Sequence, residues 1–217
     1  DMQHRKLSIA LAGIMLAAAS FAANADILFS NLGINAPPAS VGGHSVTPFN
    51  LAPQQAISDY SVVSIIPGSP VTGDLTVAPA ANKRTVGVNW WAGSPGAWGH
   101  GYTGPVFYVT ARPAVLTLPP NTRAFYFYVQ PDEGGTFNVT ATTDSGATSG
   151  AVAVTSGGAG SANGFAFYST AGESITSISV TNNAGYYPGM ALAEFGITTG
   201  PTTTCASEGY TYTKLEW

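Results

Sequence analysis

The chain has 217 residues and a formal net charge of −4, and its length fits one all-β domain with short appendages better than two domains. Charged residues make up only 8% of the chain, against about 25% in typical soluble domains. Because helical proteins cover their solvent faces with Glu, Lys and Arg, this composition argues against a helix-rich fold. The seven basic and eleven acidic residues also lack the basic excess that nucleic-acid binding requires.

The first 25 residues have the composition of a secretory signal peptide. A short basic stretch at residues 2–6 precedes an apolar run at residues 7–23, and Ala-Asn-Ala at residues 23–25 matches the small-residue cleavage rule. A membrane anchor is the alternative, but the apolar run is short and the cleavage site follows directly. We therefore expect residues 1–25 to be removed on export, leaving a mature chain that begins at Asp26, has no membrane span and is secreted or held at the cell surface.

The mature chain consists of short apolar runs separated by Gly, Pro, Asn and Ser, a pattern typical of strands and turns. Residues 136–142 illustrate it, since Phe137, Val139 and Ala141 alternate with polar residues and would place one face in a core. The predicted strands are residues 60–66, 85–91, 106–110, 115–118, 123–129, 136–142, 151–154, 164–168, 175–180 and 191–197.

These strands predict an all-β fold, an antiparallel β-sandwich of jelly-roll type, over residues 26–198. Residues 31–55 carry four prolines and are expected to hold little regular structure. Residues 199–217 change to a Thr-rich and then more charged composition, which indicates a linker or a tail outside the domain. The only cysteine, Cys205, lies in that tail and rules out an intrachain disulfide.

Part of the chain resembles a known bacterial family. The stretch at residues 115–131, followed by residues 137–141, 164–168, 175–180 and 193–197, is similar to the β-rich body of PEP-CTERM proteins, which exosortase sorts to the bacterial surface. The resemblance implies an exported cell-surface protein. Such proteins end in a Pro-Glu-Pro motif, an apolar helix and a basic tail, and residues 198–217 contain none of these.

The most unusual cluster in the sequence is a Gly-rich aromatic stretch at residues 89–102. Flat aromatic faces in a loop can stack on sugar rings, so this stretch predicts a ligand platform, with a carbohydrate as the ligand. The candidate binding residues are Trp90, Trp91, Trp98, His100 and Tyr102. The interpretation that we favour is that Trp90 or Trp91 points into the core, since successive strand residues face opposite sides, and that Trp98 packs the loop.

Metal ligands are sparse. His44 and His100 are the only histidines of the mature chain, and no transition-metal site with three or four clustered ligands is apparent. We expect no cofactor, although a structural calcium at Asp132 and Glu133, or at Asp26 with Glu194, stays open. Glu194 stands out because it lies between apolar neighbours in the last strand, so its carboxylate needs solvent, a cation or a hydrogen-bonding partner.

No catalytic motif is visible, and the few histidines and carboxylates give few possible catalytic combinations. We therefore expect no catalytic residues and no enzymatic activity. The sequence predicts an exported, non-catalytic β-sandwich protein of the cell surface or extracellular matrix. The alternative is a carbohydrate-binding module that uses the aromatic loop. Expected partners are extracellular polysaccharide or other surface proteins, and not nucleic acid.

Overall fold

The computed structural model describes residues 26–93, 97–157 and 161–200, so the predicted signal peptide and most of the predicted tail lie outside the described residues. Nearly all regular structure within this range is antiparallel β-strand. The strands are β1 (Ile27–Gly33), β2 (Ser40–Val41), β3 (His44–Ser45), β4 (Thr47–Pro48), β5 (Val62–Ile66), β6 (Leu75–Thr85), β7 (Pro105–Val109), β8 (Ala114–Thr117), β9 (Thr122–Pro131), β10 (Gly135–Thr143), β11 (Val152–Ser156), β12 (Asn163–Ser169), β13 (Ser177–Asn182) and β14 (Met190–Thr199). The helix α1 (Leu51–Gln55) and a 3-10 turn (Gly99–Gly101) complete the described elements.

Within the described residues, no helix is long and apolar enough to span a membrane.

Strand β6 joins two sheets into a sandwich. Its first half pairs with β8 through residues 76–78, and its second half pairs with β7 through residues 82–85. The first sheet therefore has the order β1-β12-β9-β14-β7-β6, and the second has the order β6-β8-β13-β10-β11. From β7 to β14 the chain passes from one sheet to the other at every connection except the β10–β11 hairpin, which is the wrapping of a jelly roll. The predicted antiparallel β-sandwich of jelly-roll type is confirmed.

The core between the two sheets is built from alternating residues of both. In β9, Phe125 and Phe127 point into it, and Phe127 stacks on Phe165 of β12 with ring centroids 5.7 Å apart. The second sheet contributes residues such as Leu116 and Ile178, which are fully buried. Burial of large aromatic side chains on this scale supplies much of the driving force for folding.

The outer face of the first sheet is buried as well. Ala124, Tyr126 and Tyr128 of β9 point away from the core and pack in a second apolar cluster with Trp90 and Trp98. Strand β9 is therefore covered on both faces, which explains why its sequence is an almost continuous apolar run. The layer that covers it comes from the aromatic stretch and from the segment before β4.

Two local predictions were wrong. The sequence predicted a strand at residues 85–91, whereas the structure has turns there, and the strand lies before it as β6. Pro79 and the polar run at residues 82–84 interrupt the apolar pattern of β6 and hid it. Strand β1 was also missed. Residues 31–55 contain, besides the end of β1, only two-residue strands and one helical turn, which agrees with the little regular structure expected there.

Candidate functional site

The aromatic stretch does not form an exposed platform of tryptophans. Trp90 and Trp98 are 1% and 0% exposed, because their rings cover the outer face of β9. Trp91 and Tyr102 are half-buried, and the side chain of His100 is 14% exposed although its backbone lies at the surface. The prediction that Trp90 and Trp98 present open faces to a ligand is therefore corrected, and inward packing, the favoured interpretation, describes them. Whether Trp91, His100 or Tyr102 contacts a ligand stays a prediction.

A buried glutamine ties the aromatic stretch to the sheet. Gln130 of β9 is fully buried, and its Oε1 accepts a hydrogen bond of 2.5 Å from Nε1 of Trp90. Its Nε2 donates to the carbonyl oxygen of Ala97 at 2.7 Å and to the hydroxyl of Ser161. A buried amide is stable only when its polar atoms are bonded, so these bonds hold Trp90 and Ala97 against β9. No local pattern in the sequence indicates this role for Gln130.

Glu194 lies in a β-bulge of β14. Between Ala193 and Gly196, three steps along β14 oppose two steps along β9, and Glu194 adopts a φ of 53°. Leu192 points into the core, so strict alternation would place Glu194 there too. The extra residue changes the alternation, which brings Phe195 back into the core and turns Glu194 toward the outer cluster.

The carboxylate of Glu194 is 92% buried, with 8% of its side-chain surface exposed, and it pairs with two residues of the aromatic stretch. Its Oε2 accepts from Nε1 of Trp98 at 2.7 Å, and its Oε1 lies 2.8 Å from Nε2 of His100. His100 also adopts a left-handed φ of 43°, and its ring packs edge-on against Tyr128 at 5.3 Å. The hydrogen-bonding partner that the sequence required for Glu194 is therefore present. Left-handed backbone at both members of the pair marks a strained and closely specified arrangement.

Burial controls the electrostatics around this pair. It raises the pKa of Glu194, and the hydrogen bonds and charge of His100 and the bond from Trp98 offset this only in part. Burial, and then the charge of Glu194, raise the pKa of Tyr126 to about 12 and also raise the pKa of Tyr128. The phenols thus remain neutral donors at ordinary pH.

A cavity of about 230 Å³ opens beside this carboxylate. Its walls include the aromatic residues Phe49, Tyr102, Tyr126 and Phe195, together with Leu51 and two prolines, and Glu194 supplies its charged group. The hydroxyl of Tyr102 is bonded to the carbonyl of Pro105 at 2.7 Å. The hydroxyl of Tyr126 has no hydrogen-bond partner in the described part of the chain.

A second candidate site lies next to the C-terminal end of β9. Tyr186 and Tyr187 are 80% and 54% exposed and form an edge-to-face pair at 4.8 Å. Their backbone N–H groups donate to Oε2 of Glu133 at 3.0 and 3.3 Å. Asn182 braces the loop they belong to, residues 183–189, since it accepts from the N–H of Ala184 and donates to the carbonyl of Pro188. These two exposed aromatic side chains therefore lie on a fixed backbone.

Polar and aromatic side chains from neighbouring strands lie beside this loop. Asp132 accepts a hydrogen bond from the Tyr108 hydroxyl at 2.7 Å, and burial and that bond raise the pKa of Tyr108 to about 12. The guanidinium of Arg84 lies 4.4 Å from the Tyr108 ring and 5.9 Å from the exposed ring of Tyr60. We name the set Tyr60, Arg84, Tyr108, Asp132, Glu133, Tyr186 and Tyr187 the tyrosine surface.

Trp91 borders the same region. Its ring lies near the backbone of Gly134 and Gly157, so it is the one predicted platform residue that the fold brings next to Glu133. The tyrosines themselves were missed by the sequence analysis. Their signal was a pair of adjacent tyrosines in a turn-forming segment, Asn-Asn-Ala-Gly-Tyr-Tyr-Pro-Gly, where no strand pattern required them.

No group of three or more His, Cys, Asp or Glu side chains within residues 26–93, 97–157 and 161–200 is placed to hold a metal ion. Glu194 bonds to Trp98 and His100, while Asp132 bonds to Tyr108 and Glu133 to the loop backbone. Three of the carboxylates considered for calcium, those of Asp132, Glu133 and Glu194, therefore accept hydrogen bonds here.

An open pocket of about 450 Å³ lies near the start of β9 and is lined by His44, Arg123 and Thr198, among others. His44 Nε2 lies 2.9 Å from the carbonyl of Ser169. This pocket is separate from both the tyrosine surface and the cavity beside Glu194.

No protein-family model matches the chain, and no curated protein matches it. Among solved structures, it is similar to the C-terminal family 22 carbohydrate-binding module of Clostridium thermocellum Xyn10B. The sequence identity is 16%, the TM-score is 0.31, and the match covers 67% of this chain and 97% of that one. A likeness this distant assigns no function.

Proposed function

We propose that this chain is an exported, non-catalytic β-sandwich of the bacterial cell surface or extracellular matrix that binds polysaccharide through the tyrosine surface. The observation that carries the binding proposal is the exposure of Tyr186 and Tyr187 on a loop whose backbone is fixed by Glu133 and Asn182. These binding residues are not among the candidates that the sequence analysis named.

Stacking on sugar rings needs aromatic faces that are open to solvent, and these two rings are 80% and 54% exposed. Each well-placed aromatic contact contributes about 0.5 to 1.5 kcal/mol beyond area burial, on the scale of aromatic pairs. Because the loop is already braced, little conformational entropy is lost when a ligand orders it. The neighbouring Asp132, Glu133 and Arg84 offer the acceptors and donors that sugar hydroxyls require.

Export and surface location are supported by the signal-like residues 1–25 and by the resemblance to PEP-CTERM proteins over residues 115–197. The low content of charged residues, with Thr, Ser and Asn on the solvent side of the strands, suits a neutral polysaccharide environment. The lack of catalytic motifs in the sequence supports a binding role over a catalytic one.

The binding proposal is tested on a glycan array with the wild type and the variants Tyr186→Ala and Tyr187→Ala. We expect the wild type to bind at least one polysaccharide weakly and each variant to lose about threefold to tenfold in affinity, which corresponds to the loss of one aromatic contact. Leu28→Ala is the matched control, because Leu28 is 42% exposed and lies on the edge strand β1, away from the loop.

Both variants are expected to keep the wild-type unfolding temperature, since exposed side chains contribute little to stability. Equal binding by the wild type and both tyrosine variants, or no binding to any glycan, would contradict the proposal.

Location is tested separately by fractionating the source bacterium and sequencing the N-terminus of the recovered protein. We expect the protein in the exported or envelope fraction, with Asp26 as its first residue. Recovery only from the cytoplasm, with residues 1–25 still attached, would disprove export without bearing on the binding test.

A further inference from the structure

The cavity beside Glu194 has a composition of its own. A single carboxylate lies among the rings of Phe49, Tyr102, Tyr126 and Phe195, next to Leu51. At about 230 Å³ it is smaller than the pockets of about 300 to 1,000 Å³ that hold drug-sized ligands. It therefore suits a side chain or a small head group better than an oligosaccharide.

The carboxylate keeps free acceptor capacity toward the cavity. Trp98 and His100 each donate to one of its oxygens, and a carboxylate has about four acceptor positions. The charge is desolvated, and the raised pKa of Glu194 reflects the free-energy cost of keeping it ionised in this apolar place. A cation in the cavity would offset that cost.

Tyr126 supplies the second observation. The residue is 99% buried, with 1% of its surface exposed, and it lines the cavity with a hydroxyl that bonds to no residue in the described chain. Gly196 packs directly against the Tyr126 ring. A Cβ atom at Gly196 would come within 2.5 Å of the Tyr126 hydroxyl oxygen, so the backbone of β14 limits where the ring can lie. Although the residue as a whole is buried, its hydroxyl oxygen stays accessible at the cavity, so it can donate a hydrogen bond to a ligand there.

We propose that this cavity binds an alkylammonium group, held by the Glu194 carboxylate and by the surrounding aromatic rings. Organic cations are attracted both to a carboxylate and to the faces of aromatic rings, and these contacts strengthen when water is excluded. The Tyr126 hydroxyl bonds to a polar atom elsewhere on the ligand. The net charge of the chain, −4, favours the approach of a cation. This inference does not depend on polysaccharide binding, because the cavity and the tyrosine surface share no residue.

Isothermal titration calorimetry on the folded protein tests the proposal with three probes, namely butylammonium, tetramethylammonium and neutral butan-1-ol. We expect saturable binding of at least one ammonium probe and binding of butan-1-ol that is about tenfold weaker or absent. Affinity for the cation should rise with pH through the ionisation of Glu194, while His100, Tyr102, Tyr126 and Tyr128 face the same carboxylate.

Two variants locate the site. Glu194→Gln removes the charge and should weaken ammonium binding about tenfold or more. Leu51→Trp fills the cavity from its half-exposed wall, leaves the carboxylate in place and should also abolish binding, so the test survives if Glu194→Gln fails to fold. Asp74→Asn is the control, because Asp74 is an exposed carboxylate outside the cavity and its loss should leave binding unchanged.

Equal affinity for butan-1-ol and butylammonium would overturn the proposal, as would an effect of Asp74→Asn as large as that of Glu194→Gln. The absence of saturable ammonium binding at every pH would overturn it too. Loss of glycan binding in the Tyr186 and Tyr187 variants, with ammonium binding retained, would show that the two sites act separately.

Discussion

Glu194 is the residue whose environment departs most from its position in the sequence. It lies in a strand but adopts a left-handed φ of 53°, and its carboxylate is 92% buried against Trp98 and His100. The sequence showed that this side chain needed a partner. It could not show which partner, because the bulge that turns Glu194 outward depends on the pairing of β14 with β9.

The raised pKa of Glu194 predicts a pH effect on stability. Between the unfolded and folded pKa values the native state binds more protons than the unfolded state, so the free energy of unfolding falls as pH rises through this window. Glu194→Gln removes the ionisation and should flatten that part of the profile. Thermal unfolding of the wild type and the variant from pH 4 upward measures this pH dependence. An equally steep decline of stability in the variant would show that Glu194 does not cause it.

The pKa of Asp59 is shifted in the opposite direction from that of Glu194. Burial alone raises its pKa, but hydrogen bonds from Lys83, Thr85 and Asn89 outweigh burial and hold the pKa below its usual value. Its contribution to stability is therefore present above the unfolded pKa and is lost as pH falls through the folded pKa.

Asp59→Ala should cost about 2 to 3 kcal/mol at neutral pH, because the Lys83 side chain is only 6% exposed and would lose its charged partner. Urea denaturation at pH 7 and again at acid pH measures this. We expect the gap between wild type and variant to narrow in acid, and a gap that stays constant would contradict the pKa argument.

At the level of elements, the aromatic stretch acts as a cover for the first sheet. Trp98→Ala should destabilise the protein by about 3 to 5 kcal/mol, the usual cost of removing a fully buried large aromatic side chain. Tyr187→Ala should change stability by less than about 0.5 kcal/mol, because its ring is exposed. Chemical denaturation of the two variants side by side checks both values. If the Trp98→Ala and Tyr187→Ala variants were equally stable, Trp98 would instead be an exposed residue available as a platform.

The strands from β7 to β14 were predictable because their local patterns agree with their places in the fold. Residues 136–142 alternate as a strand with one core face and one solvent face should, and β9 is apolar throughout because both of its faces are covered. Strand β6 was not predictable in this way. It changes partner near Pro79, and the polar residues that follow bond to Asp59 and Tyr60, which are distant in sequence.

The same reasoning applies to the candidate sites. A Trp-rich loop has one pattern whether it faces solvent or covers a sheet, and only the sheet order shows that the outer face of β9 needed covering. The tyrosine surface joins residues from β6, β7, the end of β9 and the loop before β14, so no local window contains it.

For the whole molecule, β6 belongs to both sheets, and this predicts cooperative unfolding. Separation of the sheets would break hydrogen bonds of β6 to β7 or to β8, as well as the shared core. We expect native-state hydrogen exchange to give the amides of β9 and of β13 the same opening free energy, equal to that of global unfolding. Much faster exchange in the second sheet alone would show that it opens independently.

The directions of the strands also place both ends of the described chain on the same side of the sandwich. Asp26 and Gly200 lie at the same end of the first sheet, since β1 begins opposite Ser169 and β14 ends opposite Thr122. Tyr186 and Tyr187 lie beyond the other end of β9, about 30 Å away, because each of the nine steps from Thr122 to Pro131 rises about 3.3 Å. A tether joined to residue 26 or residue 200 would therefore leave the tyrosine surface facing away from the point of attachment.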